Sequence, residues 1–373
     1  FGALCALSFH KPGAWQDASA GKRLASLLLA ALSVASALYL IFFEDALYAR
    51  EANFAAADYV FSALAVVLAI EFTRRTTGWF LPVLIAVSLA YILFLGRFVP
   101  GVFQFPGLSA ETVLYRSYFS ADGMFGMVAS ISATYVFMFI LFGSFLLKSG
   151  AGDFIVELAD TVAGRFQGGA GFVAVGGSGL MGSVSGSAVA TTVSTGVITI
   201  PMMKDGGYKP KTAAAIEAAA STGGQLMPPI MGAAAFLLAE NLQASYIDVM
   251  LAALIPSILY YFSLFAFADL EAGRLSIARV DESRIPSLGS VMRKGWFVFA
   301  PFVVLLLGLF SFNLRPETAA LVAILVLRCL SMIQSYDGRR VSVRVLGEVF
   351  VSAGKAAVEI ILICAIAGMI IGL

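Results

Sequence analysis

Residues 168–203 read GGAGFVAVGGSGLMGSVSGSAVATTVSTGVITIPMM, and the reading of this stretch decides the fold. Between Arg165 and Lys204 it carries no charged residue and no histidine. It is too long for one bilayer crossing of about 20 residues and too short for two. Gly, Ser and Thr are dense throughout, and the apolar pattern breaks at Gly182–Ala190. Backbone that leaves the helix at membrane depth survives only where protein or a water-filled cavity satisfies it. The stretch therefore predicts a re-entrant helical hairpin with its tip near Ser183–Ala188. Helix ends at such a tip aim dipoles and free carbonyls at a ligand. The competing explanation is close helix packing, since Gly182 and Gly186 also fit a small-xxx-small pattern. Packing alone, however, needs fewer hydroxyls. Gly177, Gly179 and Gly182 match G-x-G-x-x-G, but no βαβ unit surrounds them and a dinucleotide site is excluded.

The next segment, KPKTAAAIEAAASTGGQLMPPIMGAAAFLLAE from Lys209, is an Ala-rich helix interrupted at Ser221–Pro229. Paired Gly followed by paired Pro removes backbone hydrogen bonds and breaks a helix. The interruption lies near mid-length and is expected near mid-membrane, where freed carbonyls and the Ser221 and Thr222 hydroxyls offer oxygen ligands to a hard cation. An ordinary proline kink is the alternative. Glu217, two turns inside, is an intramembrane carboxylate and so a functional candidate, although Lys211 is near enough for it to reach the cytoplasmic interface instead.

Working outward, the 373 residues are 60% hydrophobic and 13% charged, with a mean hydropathy of +0.92. A soluble domain carries roughly 25% charged residues, so the chain is an all-α polytopic membrane protein. Lys+Arg 24 against Asp+Glu 23 gives no reason for a nucleic-acid partner. The three cysteines are scattered and form neither metal spacing nor a disulfide framework. Spans are expected at Leu24–Phe43, Phe54–Ile70, Trp79–Leu95, Met124–Leu147, Val249–Ala268, Trp296–Phe312, Ala319–Ile333 and Ala356–Leu373. Lysine and arginine concentrate in cytoplasmic loops. Arg74–Arg75, Lys148–Arg165, Lys204–Lys211, Arg274–Lys294 and Arg339–Arg344 then alternate correctly only if 171–202 enters and leaves on the cytoplasmic side. No initiator Met is present and the final apolar run from Lys355 ends without a polar anchor, so both ends of a longer chain are expected to be missing.

Residues 148–166 set Phe154, Ile155, Leu158, Val162 and Phe166 on one helical face, the pattern of a helix lying in the interface and bracing the hairpin. Asp269–Lys294 is expected to do the same. Lys355 and Glu359 stand i,i+4 and are expected to pair. The lone His10 has no assigned role.

The quoted segments resemble the fused permease subunit of TRAP transporters, the tripartite ATP-independent periplasmic systems, in the branch whose binding protein is of the TAXI type. Carrying the resemblance are SGLMGSVSGSAVATTVSTG (178–196), IPMMKDGGYKPKTAAAIEAAASTGGQLMPPIMGAAAF (200–236) and ALIPSILYYFSLFAFADLEA (253–272), with EFTRRTTGWFLP and LFGSFLLKSGAGDF upstream. The resemblance implies a small subunit's helices over residues 1–112, fused to a large subunit's scaffold and first transport repeat over 113–373. It implies a sodium site at the hairpin tip and broken helix, which carries over to Ser183, Ser185, Gly186, Ser187, Thr191, Ser221, Thr222, Gly223, Gly224, Pro228 and Pro229. A second hairpin with its own sodium site belongs to the absent part. It further implies an elevator-type importer of small organic acids, dicarboxylates among them, in a bacterial or archaeal cytoplasmic membrane. Such an importer is driven by sodium, served by a TAXI-type periplasmic binding protein and independent of any ATPase. The sequence agrees on the last point, since no G-x-x-x-x-G-K-[ST] occurs.

Two other readings compete. A stand-alone ion/anion symporter of the same inverted-repeat type would not need the fused small-subunit-like helices. An intramembrane enzyme needs convergent His, Asp or Cys groups inside the spans, and one peripheral histidine does not supply them.

Overall fold

The computed structural model describes residues 20–50, 53–120, 122–277, 286–336, 338 and 343–373. Among these the regular structure is helical, and seven helices are long and apolar enough to cross a bilayer: Arg23–Phe42, Ala56–Thr77, Met127–Lys148, Tyr246–Arg274, Leu288–Phe310, Pro316–Ile333 and Val345–Ile371. The expected span at Trp79–Leu95 is realised as the 14-residue helix Phe80–Leu93. At 1.5 Å per residue it is about 21 Å long, short of the ~30 Å hydrocarbon core. The apolar run continues, but a 3₁₀ turn at Leu95–Arg97 ends the helix. Gly96 there lies so close to Phe105 that an added β-carbon would sit 2.9 Å from that residue's Cβ.

The chain divides by compactness into a unit of Phe1–Ala133 with Lys355–Leu373 and a unit of Thr134–Gly354. In the first unit Asp58 is buried and caps its own helix, accepting from the Ala55 backbone N–H at 2.7 Å. It also accepts the Tyr39 hydroxyl at 2.6 Å and pairs with Arg50 at 3.3 Å. Tyr118 donates its hydroxyl to Ser36 O. At the far end of helix Ala56–Thr77, Glu71 binds both Arg74 and Arg75 at 2.7 Å, and Arg74 stacks 5.3 Å from the Trp79 ring centroid. Charged and aromatic groups so placed are those expected at a membrane–water boundary.

The second unit contains the segment that decides the fold. Helices Gly169–Ser185 and Ala188–Asp205 are joined by two residues, and Ser178 on one arm meets Thr195 on the other at 2.8 Å. This is an antiparallel helical hairpin whose open ends close on each other. Tyr208, just past the second arm, donates to Gly168 O at 3.0 Å, just before the first. Burial pushes the Tyr208 hydroxyl up to about 12, with the charges of Asp269 and Glu271 adding to it.

The amphipathic helix runs Ala151–Ala163 and packs on the first arm, where Val156, Ala159 and Val173 form a small apolar cluster. Its face buried against the protein is Ala151, Phe154, Ile155, Val156, Ala159 and Thr161, so Phe154 and Ile155 of the apolar stripe pack inward while Val162 is 61% exposed and Phe166 57%. Val156 and Ala159 lie beside Gly177 of the first arm, at ordinary van der Waals distance from where a β-carbon would stand. The beginning of the expected interfacial stretch at Asp269–Lys294 is instead the continuation of helix Tyr246–Arg274. Residues 278–285 of that stretch, His10 and the Glu359 side chain lie outside what the structure describes.

Candidate ion and substrate site

The hairpin tip is Gly186–Ser187. Gly186 takes φ +62°, a left-handed conformation that glycine adopts without strain. Ser187 then caps the second arm, its hydroxyl accepting from Ala190 N at 3.3 Å. Ser185 and Thr191 bridge the tip through their hydroxyls at 2.6 Å, and Ser187 N donates to Ser185 Oγ at 3.3 Å. Ser183 turns back on its own helix, donating to Leu180 O at 2.8 Å. The tip thus concentrates three hydroxyls within one helical turn on either side of an open backbone.

The broken helix is Pro210–Gly223 followed, after turns, by Ala233–Asn241. It faces the hairpin tip directly. Ile230 N donates to Ser183 O at 3.2 Å, and a β-carbon at Gly186 would lie 2.3 Å from Met231 O. Gly182 and Gly224 meet backbone to backbone: a β-carbon at 182 would come within 2.6 Å of Gly224 Cα. Glycine is required at both positions because real β-carbons do not approach other atoms so closely. Tyr246 fixes the break from behind, donating to Pro229 O at 2.9 Å and Ile230 O at 2.5 Å.

The structure therefore brings the tip backbone at Gly182, Ser183 and Gly186 against Gly224, Ile230 and Met231, while Ser185, Ser187 and Thr191 bond to one another at the tip and Pro228–Pro229 lie in the turn that leads to Ile230. Thr222 stays on the helix, its hydroxyl donating to Ala218 O at 2.7 Å, and Gly223 lies against the Tyr260 ring. Ser221 belongs to a different cluster centred on Glu217.

That cluster is where sequence reasoning fell short. Glu217 does not reach the interface; it is fully buried, as are Ser178, Thr195, Thr199 and Ser221 around it. Its Oε1 accepts hydroxyls from Ser178 at 2.8 Å, Thr195 at 2.7 Å and Ser221 at 3.1 Å, and its Oε2 accepts from Thr199 at 2.6 Å. Among the described residues no lysine, arginine or histidine pairs with it. The signal that could have located it is the spacing of Thr191, Thr195 and Thr199, which puts three hydroxyls on one stripe of the second arm.

A helical hairpin packed tip-on against an interrupted helix, among spans, defines a secondary-transporter fold rather than a catalytic one. Residues 64–373 match the family described as "Tripartite ATP-independent periplasmic transporter, DctM component", and the chain belongs to that family as a large permease component. It is a multi-pass protein of the cytoplasmic membrane and not an enzyme. Relatives include the sialic acid TRAP transporter permease protein SiaT of Haemophilus influenzae (strain 86-028NP), 28% identical over 186 residues, covering 50% of this chain and 30% of that one. The 2,3-diketo-L-gulonate TRAP transporter large permease protein YiaN of Escherichia coli (strain K12) is 28% identical over 195 residues, 52% of this chain and 45% of that one. The C4-dicarboxylate TRAP transporter large permease protein DctM of Vibrio cholerae is 28% identical over 183 residues, 47% and 40%. In each pairing the chain spans less than half of the relative's length.

Proposed function

We propose that the chain is the membrane permease of a sodium-driven, binding-protein-dependent importer of small organic acids. Residues 1–112 act as small-subunit-like helices and 113–373 as the large-subunit scaffold with the first transport repeat. The single observation that carries the reading is the docking of the hairpin tip on the broken helix, Gly182 against Gly224 and Ser183 O accepting from Ile230 N at 3.2 Å. Hydroxyl and carbonyl oxygens converging from two helix interruptions suit a hard monovalent cation, and adjacent helix ends suit a carboxylate. The relatives are named for sialic acid, 2,3-diketo-L-gulonate and C4-dicarboxylates, all of them acids, which supports a carboxylate as substrate. A periplasmic binding protein of the TAXI type is the expected partner. The hairpin enters the membrane from the cytoplasmic side, as the loop charges require.

The test is uptake into proteoliposomes by the protein together with a periplasmic binding protein. Ser185→Leu is expected to abolish uptake driven by a sodium gradient while membrane levels stay unchanged. Undiminished uptake removes the tip from the mechanism.

A further inference from the structure

The hairpin tip and the break meet at one peptide unit, and a buried tyrosine holds the other side of that unit. Resting on the sodium reading above, we infer that Tyr246 is a positioning residue for the ion site. It fixes the Pro229–Ile230 peptide from behind, and that peptide sets where the tip stands against the break. In a trans peptide the C=O and the N–H point in opposite directions. Here Pro229 O accepts the Tyr246 hydroxyl at 2.9 Å, while Ile230 N of the same unit donates to Ser183 O at 3.2 Å. The hydroxyl also reaches Ile230 O at 2.5 Å, so its one hydrogen is shared between consecutive carbonyls.

The residues on either side explain why that peptide needs holding. Ser183 O lies in the last turn of the first arm, where helix carbonyls run out of intrahelical donors. Pro228 and Pro229 have no N–H to offer it, and the bond falls to Ile230, the first N–H after the double proline. Linked hydrogen bonds polarise one another, so a donor on Pro229 O strengthens the donation from Ile230 N. Met231 follows, buried and at φ +58°. A non-glycine residue keeps that left-handed conformation only where its surroundings over-determine it. The Met231 carbonyl lies against Gly186 at the tip, so slack in this turn is passed directly to the hairpin.

The hydroxyl is itself held in place. Tyr246 opens helix Tyr246–Arg274, whose start Ser245 and Asp248 fix as a capping box. Its ring is buried and stacks on Phe236 of the second half of the broken helix, with centroids 4.4 Å apart and planes 3° from parallel. Phe139 leans on both rings, 6.2 Å from Tyr246 and 5.1 Å from Phe236. Phenylalanine at 246 would keep this stack and remove only the bonds to the break. Groups ordered before a ligand arrives do not have to be ordered at its expense, so losing the hydroxyl weakens ion binding as well as the fold.

The experiment compares the purified parent, Tyr246→Phe and Tyr208→Phe. Tyr208 is the matched control: its hydroxyl also bonds two carbonyls, Gly168 O at 3.0 Å and Ala268 O at 3.2 Å, but at the open end of the hairpin. The first readout is hydrogen–deuterium exchange. Prolines carry no amide hydrogen, so Ile230 is the one exchanging group within 228–230. It is expected to exchange about threefold faster or more in Tyr246→Phe and at the parent's rate in Tyr208→Phe. The second readout is the melting midpoint as sodium chloride replaces choline chloride at constant ionic strength. The sodium concentration giving half of the rise is expected to increase about 3- to 10-fold in Tyr246→Phe, the weight of one hydrogen bond. In Tyr208→Phe it stays at the parent's value, although the midpoint is lower throughout. Unchanged Ile230 exchange in Tyr246→Phe overturns the proposal, as does a half-saturating sodium concentration that moves no further there than in Tyr208→Phe. A parent whose midpoint ignores sodium refutes the sodium reading and takes the proposal with it. That failure is told apart by Ile230, which would still respond to Tyr246→Phe.

Discussion

Replacing Gly182 by Ala puts the packing between hairpin and broken helix under direct load. The new β-carbon would lie 2.6 Å from Gly224 Cα and 3.4 Å from Gly224 N. Carbon atoms rest at about 3.5–4.0 Å, so the two segments must part by about 1 Å. Ile230 N donates to Ser183 O at 3.2 Å, and a separation of that size breaks the bond. Overpacking costs about 1–3 kcal/mol, and the lost hydrogen bond adds about 1 kcal/mol. Alanine's helix preference over glycine returns about 0.5–1 kcal/mol, leaving a net loss of about 2 kcal/mol. The internal control is Gly176→Ala on the same helix. There the nearest atoms are Phe265 Cζ at 3.8 Å and Ala159 Cβ at 4.0 Å, so the β-carbon fits and only the gain of about 0.5–1 kcal/mol remains. Thermal unfolding of the detergent-solubilised protein should rank Gly182→Ala below the parent and Gly176→Ala at or above it. A Gly182→Ala midpoint equal to that of Gly176→Ala refutes the contact between tip and break.

Other expectations follow from named contacts. Cysteines at Gln167 and Asp205, both exposed at the open ends of the hairpin, should label from the same cytoplasmic side of intact cells; labelling from opposite sides excludes a re-entrant hairpin. Asp58→Ala should cost about 2–3 kcal/mol through the lost helix cap and tyrosine bond, and Asp58→Asn clearly less because an acceptor oxygen remains, both read as melting midpoints. Tyr208 has its hydroxyl raised from 10.0 to about 12 in the fold, so its contribution to stability is complete below about pH 10 and lost as the pH rises through about 12. Tyr208→Phe should therefore flatten the alkaline limb of the stability profile, and an unchanged limb contradicts the burial of that hydroxyl.

The hairpin and the broken helix were both legible in the amino-acid order, for different physical reasons. The hairpin shows because charge is excluded from Arg165 to Lys204 while backbone-breaking residues gather at its centre, a combination no ordinary span needs. The break shows because Gly223–Gly224 and Pro228–Pro229 interrupt a segment otherwise made of strong helix formers. Composition cannot show where an apolar helix stops, which is why Trp79–Leu95 read as a span. Its end is set by the close approach of Gly96 to Phe105, a tertiary contact. For helix Ala151–Ala163 periodicity identifies the apolar stripe, but which of its residues pack on the hairpin is selected by the partner's shape. Glu217 was the hardest to read. Its donors come from both arms and from its own helix, 4 to 39 residues away in sequence, and the nearby lysine drew attention outward instead.

The central claim is that the docked tip and break hold a sodium ion, and a ligand that binds only the folded state raises its stability in proportion to its occupancy. The direct measurement is the melting midpoint of the purified protein in sodium chloride against choline chloride at equal ionic strength, for the parent and for Ser185→Leu. The account predicts a sodium-specific rise in the parent that Ser185→Leu removes or sharply reduces. A midpoint indifferent to the choice of cation, or an equal sodium effect in the variant, contradicts it.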